Sequence, residues 1–262
     1  MVRWGLYSLR NLWARRVTTA LTVVGLGLVV FVLLAVLMLA HGLEQTLGKT
    51  GDPENVIILR KGALSEIGSS LSREEIRAVA AQPDVRLTAD GRPLAVAEVG
   101  LQLTLRKGQG GSLTSVTLRG TAPEALAVRP AIRLIQGRLW KPGTTEIVVG
   151  ASIARQFPDA RVDRVLHFGN WAWTVVGVFE AGGSGFDSEV WGDAEQFLAT
   201  FHRTTFSSLT LRLAQPAMLP AFKDRIERDP RFKFSVKREP EYYEGKAEGL
   251  AKMIRVTGLF LI

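Results

Sequence analysis

Two short glycine-containing stretches are the first places to look for chemistry in this sequence. Gly48-Lys49-Thr50 matches the end of a phosphate-binding loop, in which backbone amides cradle phosphates and the lysine neutralises them. The first glycine of that motif would fall on Leu43, so the motif is incomplete. The second stretch, GGSGF at residues 182–186, lacks the final glycine of the G-x-S-x-G nucleophile elbow. It indicates a loop rather than a catalytic serine.

Metal ligands are also poorly represented. The three histidines, His41, His167 and His202, are scattered, with no H-E-x-x-H and no carboxylate at ligand spacing. Cysteine is absent, which excludes disulfides and thiolate metal sites. We therefore predict no enzyme activity, no metal and no cofactor in this chain.

The elements that would have to position any site are organised around residues 17–43, which contain no Asp, Glu, Lys or Arg. About 20 apolar helical residues suffice to cross a hydrocarbon core of about 30 Å, so this run predicts a membrane span. A cleaved signal peptide is the alternative, but its apolar core is usually about 7–15 residues and ends in a small-residue cleavage site. Gly25 and Gly27 predict a face on which the span packs against another helix.

The segment before the span is basic, whereas acidic residues predominate just after it. The positive-inside rule therefore predicts a cytoplasmic N-terminus and an extracytoplasmic domain after the span. Residues 1–16 form either an interfacial amphipathic helix or an ordinary basic flank. The predicted membrane-interface anchors are Arg3, Trp4, Arg10, Trp13, Arg15 and Arg16. These four arginines supply half of the net charge of +8, and without a further basic block no nucleic-acid partner is predicted.

Beyond the span the pattern alternates between short apolar strands and capped helices. Ser72 and Glu75 form the S-x-x-E capping box of a helix between two strands, and a second strand-helix-strand unit falls at residues 207–237. A hairpin is predicted from residues 94–106 and 112–120. Together these units predict an α+β domain with the middle of the chain inserted into it.

The last residues from Glu239 predict a helix with Pro240 at its first position. It leads into VTGLFLI at residues 256–262, which is too short to cross a bilayer. Either a second span is cut short there, which we favour, or an amphipathic helix ends there.

Several phrases of the sequence resemble the MacB/FtsX-type permeases of ABC transporters. They are LRNL at 9–12, LTVVGLG at 21–27, NVIILRKGA at 55–63 with Ser65-Glu66, Gly137-Arg138, EIVVG at 146–150, WTVVGVF at 173–179 and FDSEVW at 186–191. The resemblance implies a dimer of permeases in the bacterial inner membrane, a separate cytoplasmic ABC ATPase that binds the ATP, and a periplasmic adaptor.

The same resemblance implies a division of the chain. Residues 1–16 would be a cytoplasmic amphipathic helix and 17–43 the first transmembrane helix. A porter-like subdomain would comprise 44–124 and 206–238, with a sabre-like insertion at 125–205. Residues 239–262 would form a stalk helix and the start of transmembrane helix 2. The family's later spans are missing, so a fragment, a split subunit or a decayed copy is expected.

Two functional hypotheses follow from the resemblance. The first is a permease subunit, or its N-terminal half, that transmits cytoplasmic ATP hydrolysis to the extracytoplasmic domain for export or extraction of a substrate. The second is a periplasmic binding or signalling scaffold that recruits an extracytoplasmic partner, as in the FtsX branch, or an inactive truncated copy. A membrane-anchored enzyme is a distant third.

Overall fold

The computed structural model describes residues 16–108 and 111–260. The chain forms two compact units, one comprising Met1–Gln45 with Ala247–Ile262 and the other Thr46–Lys246. The predicted N-terminal amphipathic helix lies outside the described residues, apart from Arg16.

The described residues form both helices and strands. The α-helices are α1 Arg16–Gly48, α2 Arg73–Ala80, α3 Ala125–Val128, α4 Ala151–Gln156, α5 Ala194–Thr200, α6 Leu219–Arg228 and α7 Glu239–Phe260. The strands are β1 Asn55–Arg60, β2 Ala95–Arg106, β3 Leu113–Thr121, β4 Arg133–Gly137, β5 Glu146–Gly150, β6 Val165–Phe168, β7 Trp171–Glu180, β8 Glu189–Asp193, β9 Ser208–Arg212 and β10 Phe234–Arg238. Short 3₁₀ helices cover Glu66–Gly68, Gly185–Ser188 and Pro216–Met218. The predicted α+β class is confirmed.

Helix α1 is 33 residues long. Among the described residues it is the helix whose length and apolar composition would allow it to cross a membrane. Its leucines and valines are exposed along most of its length, for example Leu21 at 69%. An apolar surface of that extent is unfavourable in water and is expected to face lipid or other helices. The length and exposed apolar surface of α1 indicate a membrane anchor.

The second unit is built on one mixed sheet. Within the described residues its strand order is β10-β1-β9-β2-β3-β8-β5-β7-β4, with β6 also paired to β7. Strand β2 holds the sheet together, because residues 95–98 pair with β9 and residues 99–106 pair with β3. The predicted hairpin of β2 and β3 is confirmed. The division into porter-like and sabre-like parts stays a prediction.

Helix caps fix where helices begin. The Ser72 hydroxyl accepts from the Glu75 amide at 3.2 Å, and the Glu75 carboxylate accepts from the Ser72 amide at 2.8 Å. This is the capping box predicted from the sequence. At α5 the Asp193 carboxylate accepts from the amides of Glu195 and Gln196. Both helices therefore start where their polar side chains satisfy otherwise unpaired amides.

Candidate functional site

Six charged side chains lie together inside the second unit. They form the buried charge cluster: Glu66, Glu98, Arg119, Arg129, Glu189 and Glu239. The most exposed of them, Glu189, is 8% exposed. Burying a charge costs several kcal/mol unless it is paired and hydrogen-bonded, so the contacts within the cluster decide whether it can exist.

Arg119 on β3 joins three carboxylates from distant parts of the chain. Its Nε and Nη2 donate to the two Glu189 oxygens at 2.7 and 2.9 Å, which is a bidentate pair. Its Nη1 donates to Glu66 Oε1 at 2.7 Å and to Glu98 Oε2 at 3.2 Å. One guanidinium thus holds together the 3₁₀ helix before α2, strand β2 and strand β8.

Arg129, just after α3, makes the second set of contacts. Its Nη1 and Nη2 donate to the two Glu98 oxygens at 2.8 and 2.7 Å. Its Nε donates to Glu239 Oε1 at 2.7 Å. Glu98 therefore lies between the two arginines, and the cluster continues from β8 through β2 to the first residue of α7.

Glu239 also contacts the segment that follows α1. Its Oε2 accepts from the Asp52 amide at 2.9 Å and from Asn55 Nδ2 at 2.8 Å. Gly51 has a φ of +95°, and a Cβ there would lie 2.8 Å from Glu239 Cγ. The close approach and the left-handed backbone both require glycine. The segments after α1 and at the start of α7 are thus joined by one carboxylate.

The first turn of α7 adds two tyrosines to the cluster. The Tyr242 hydroxyl accepts from the Glu66 amide at 3.0 Å, and Arg119 Nη2 donates to the Tyr243 hydroxyl at 3.2 Å. Burial raises the pKa of Tyr243 well above its usual value, so this phenol stays neutral. Glu239, Tyr242 and Tyr243 are all buried, which anchors the first turn of α7 in the domain.

The pKa shifts show that the cluster is charged. Burial raises the pKa of Glu98, but the charges of Arg129 and Arg119 outweigh burial and lower this pKa to about 2. Burial also raises the pKa of Glu66, yet Arg119 holds it below the usual range. Burial lowers the pKa of Arg119 and Arg129, but the neighbouring carboxylates raise both above the ordinary value. Glu66, Glu98 and the two guanidiniums therefore remain ionised at neutral pH.

Aromatic rings close the cluster. The Phe186 ring faces both guanidiniums, at 5.2 Å from Arg119 and 5.0 Å from Arg129. Trp191 Nε1 donates to Glu189 Oε2 at 2.8 Å. Ring faces attract cations and exclude water, so the ion pairs lie in a low-dielectric environment in which each contact is strong.

The two glycine-containing stretches that were first considered for chemistry, residues 48–50 and 182–186, have structural roles instead. Gly48 is the last residue of α1, whereas a phosphate-binding loop precedes its helix. Thr50 accepts a hydrogen bond from the Gly185 amide at 2.8 Å, which joins the end of α1 to the glycine-rich loop. In that loop the Asp187 carboxylate accepts from the amides of Ala181 and Gly183 at 2.7 Å each. Both stretches therefore support the backbone beside the cluster.

The structure describes only some of the residues that were predicted to pack against another helix or to contact the membrane interface. Gly25 and Gly27 lie on α1, and a Cβ at either would have no described atom within 4 Å. Their role in packing against another helix stays a prediction. Arg16 is the first described residue of α1. The other predicted anchors, Arg3, Trp4, Arg10, Trp13 and Arg15, lie outside the described residues.

The first unit contains a contact between α1 and α7 whose particular residues were not predicted from the sequence. A Cβ on Gly258 of α7 would lie 2.6 Å from Val36 Cγ1 of α1. Arg255 Nη2 donates to Glu44 Oε1 at 2.6 Å between the same two helices. A glycine in the apolar run of residues 256–262 was the signal for close packing, as Gly25 and Gly27 were.

Sequence reasoning also missed the buried charge cluster, although part of it was visible. Two of the sequence segments that resemble the permease family contain Glu66 and Glu189. Both side chains bind Arg119. Charged residues such as Glu98 and Arg119 within otherwise apolar strand patterns were the remaining signal. Such residues are buried only when paired, so each implied a partner elsewhere in the chain.

Comparisons with solved structures show related folds at low identity. The extracellular domain of the noncanonic ABC-type transporter YknZ from Gram-positive bacteria has a TM-score of 0.53 at 14% identity, covering 70% of this chain and 99% of that one. The periplasmic region of MacB from Actinobacillus actinomycetemcomitans has a TM-score of 0.54 at 14% identity, covering 74% and 92%. No curated protein matches the sequence.

A family model gives the assignment. The MacB-like periplasmic core domain matches residues 19–229, which is more than half of the chain. This match confirms the resemblance that the sequence phrases predicted. With its apolar N-terminal helix, the chain therefore belongs to the MacB-like periplasmic core domain family of ABC transporter proteins.

Proposed function

We propose that this chain is a permease subunit, or the N-terminal half of one, of a MacB/FtsX-type ABC transporter. It transmits ATP hydrolysis by a separate cytoplasmic ATPase to its extracytoplasmic domain, and that domain then acts on a substrate or partner. The N-terminus is cytoplasmic, as the basic flank of α1 indicates. The permease is a dimer in the bacterial inner membrane and contacts a periplasmic adaptor.

The observation that carries this proposal is the position of Glu239. It is the first residue of α7, it is fully buried, and it binds both Arg129 and the segment after α1. A displacement of the first turn of α7 would separate Glu239 from Arg129. Removing one partner of a buried pair costs about 3–5 kcal/mol. The favoured response is for Arg129 and Glu98 to move with α7, which passes the displacement to the sheet.

A cysteine-labelling experiment tests this transmission. The chain has no cysteine, so Ser184→Cys introduces a single thiol. Ser184 is 4% exposed and its hydroxyl has no hydrogen-bond partner among the described residues, which makes the replacement mild. The full chain is reconstituted in proteoliposomes with a candidate partner ABC ATPase. We expect ATP turnover to increase the rate of maleimide labelling several-fold.

Glu239→Gln should abolish the effect of ATP on labelling, so that its labelling rates with and without turnover are equal. Glu241→Gln is the matched control, because Glu241 lies in the same turn of α7 but is exposed. It should respond to ATP as the parent does. Failure of the ATPase to associate with the chain, or equal labelling rates of the parent with and without turnover, would contradict transmission.

A further inference from the structure

A cleft opens beside strand β2 in the second unit. It has a volume of about 580 Å³, and we call it the β2 cleft. Its lining includes Leu94, Ala95, Ala97, Ala122, Pro123 and Ala194. Pockets of roughly 300–1,000 Å³ with mostly apolar walls are typical of binding sites.

One wall of the β2 cleft is an unpaired strand edge. The ladder between β2 and β3 ends at the pair Val99–Gly120. No described strand pairs with residues 95–98 on that side, whereas β9 pairs with them on the other. Unpaired strand edges are templates for the addition of another strand.

The hydrogen-bond pattern shows which backbone groups face the cleft. The Arg212 amide donates to the Leu94 carbonyl, so even-numbered residues of β2 face β9 in this part of the strand. Ala95 and Ala97 therefore direct their backbone groups away from β9. The Ala95 amide donates to the Pro93 carbonyl at 2.9 Å. Among the described residues, the Ala97 amide and the carbonyls of Ala95 and Ala97 remain without a ladder partner.

The charges at the cleft have one predominant sign. Its lining contains Arg92 and three carboxylates, those of Glu124, Asp193 and Glu195. Arg92 lies 3.6 Å from Glu124, and Arg73 pairs with Glu195 at 2.5 Å. The Asp193 carboxylate accepts from three amides, and no described Lys or Arg nitrogen lies within salt-bridge distance of it. This excess of negative charge favours a basic occupant.

We propose that the β2 cleft binds a short extended peptide of a partner protein by strand addition. The peptide forms main-chain hydrogen bonds with Ala95 and Ala97, in the position that β3 would occupy if its pairing with β2 continued. It places small apolar side chains against the alanines and proline of the cleft. It also directs a Lys or Arg toward Asp193. Main-chain hydrogen bonds supply affinity, and the apolar wall and the carboxylates supply specificity. The inference does not depend on transmission of ATP hydrolysis.

The test is a binding titration with the full chain in detergent micelles and no ATPase. The probe is a pool of fluorescent peptides of about eight residues, with small apolar residues at alternate positions and Lys or Arg between them. Fluorescence anisotropy should identify binders with dissociation constants below about 1 mM. N-methylation of alternate amides in a binder should weaken its affinity at least about 10-fold, because it removes backbone donors. Replacing its basic residues by Glu should also weaken its affinity at least about 10-fold.

A matched pair of protein variants locates the binding. Ala127 is exposed and lines the cleft, so Ala127→Trp should block binding. Ala217 is exposed outside the cleft, so Ala217→Trp should not change binding. The proposal is overturned if no peptide of the pool binds, if N-methylated or acidic peptides bind equally well, or if the two variants behave alike. Binding of the small cation tetraphenylphosphonium in the cleft while no peptide binds would assign the cleft to small molecules instead.

Discussion

Arg129 donates from Nε to the Glu239 carboxylate at 2.7 Å, and this contact joins the first residue of α7 to the interior of the sheet. The same guanidinium binds both oxygens of Glu98 on β2. Neither carboxylate is exposed at all, so water cannot replace the arginine. The cluster is therefore a place where loss of one side chain has large consequences for its neighbours.

Replacing Arg129 by Met should destabilise the domain by about 3–5 kcal/mol, because Glu98 loses one of its two arginines and Glu239 loses its cationic partner. Urea unfolding of the full chain in detergent, followed by tryptophan fluorescence, measures the change. Arg231→Gln is the control, since Arg231 forms an exposed ion pair with Asp229. Its unfolding midpoint should equal that of the parent. Equal midpoints for the two variants would show that the Arg129 contacts are dispensable.

Gly51→Ala should destabilise the domain through two effects that a second variant separates. Both Gly51 and Gly62 have positive φ, but only at Gly51 does a Cβ meet a neighbour, Glu239 Cγ at 2.8 Å. Gly62→Ala should cost about 1–2 kcal/mol for the backbone conformation. Gly51→Ala should cost a further amount of about 1–3 kcal/mol from overpacking. The same unfolding titration compares the two variants. Equal losses of unfolding free energy would mean that the Glu239 side chain moves away from the added Cβ at no cost.

Local patterns in the sequence predicted much of the fold. The capping box of Ser72 and Glu75, the β2–β3 hairpin and strand β10 depend on residues close in sequence, and all three are confirmed. Strand β8 was not predicted. It follows the glycine-rich loop and begins with Glu189, and a carboxylate at that place indicates an exposed loop unless its partner is known.

The pairing of charges within the cluster could not be predicted for the same reason. Arg119 and Glu189 are 70 residues apart, and Arg129 and Glu239 are 110 residues apart. The periodicity of apolar residues indicates which side chains share one face of a helix or strand. It does not indicate which residues of another strand that face contacts. The pairing of these charges follows from sheet topology, which the sequence pattern left open.

The ion pair of Arg138 and Glu146 should make stability depend on acid pH. Hydrogen bonds from Arg138 at 2.6 and 2.7 Å lower the pKa of Glu146 from 4.5 to about 2. A carboxylate whose pKa is lowered in the folded state contributes stability above the unfolded pKa and loses it as the pH falls toward the folded pKa. The pair should therefore stabilise the domain fully above about pH 4.5 and progressively less down to about pH 2.

Arg138→Gln measures that dependence directly. The difference in unfolding free energy between the parent and Arg138→Gln should be greatest at neutral pH and shrink as the pH falls toward 2. Other titrating groups cancel in this difference because both proteins contain them. Arg92→Gln is the control, since Arg92 is 66% exposed and its ion pairs are long, at 3.3 and 3.6 Å. A constant difference for Arg138→Gln between pH 7 and 3 would contradict the assignment.

Gly258→Leu should separate α1 from α7, because a Cβ there already lies 2.6 Å from Val36. The readout is cross-linking of Glu44→Cys with Arg255→Cys by a short bismaleimide in the otherwise cysteine-free chain. Gly249→Leu on the same helix is the control, since nothing described lies within 4 Å of a Cβ there. We expect cross-linking to fall with Gly258→Leu and to persist with Gly249→Leu. Equal yields would mean that the helices tolerate the added bulk.

Gly25 and Gly27 should matter to assembly rather than to the fold of a single chain. Both positions on α1 are open, so Gly25→Leu and Gly27→Leu introduce no clash among the described residues. If these glycines pack against a helix of another subunit, the added side chains should abolish permease function while membrane insertion persists. Blue native electrophoresis should then show loss of the dimer, whereas carbonate extraction should leave both variants in the membrane. An unchanged dimer with unchanged activity would mean that α1 uses another face, and Gly258 would remain the close helix contact that the structure supports.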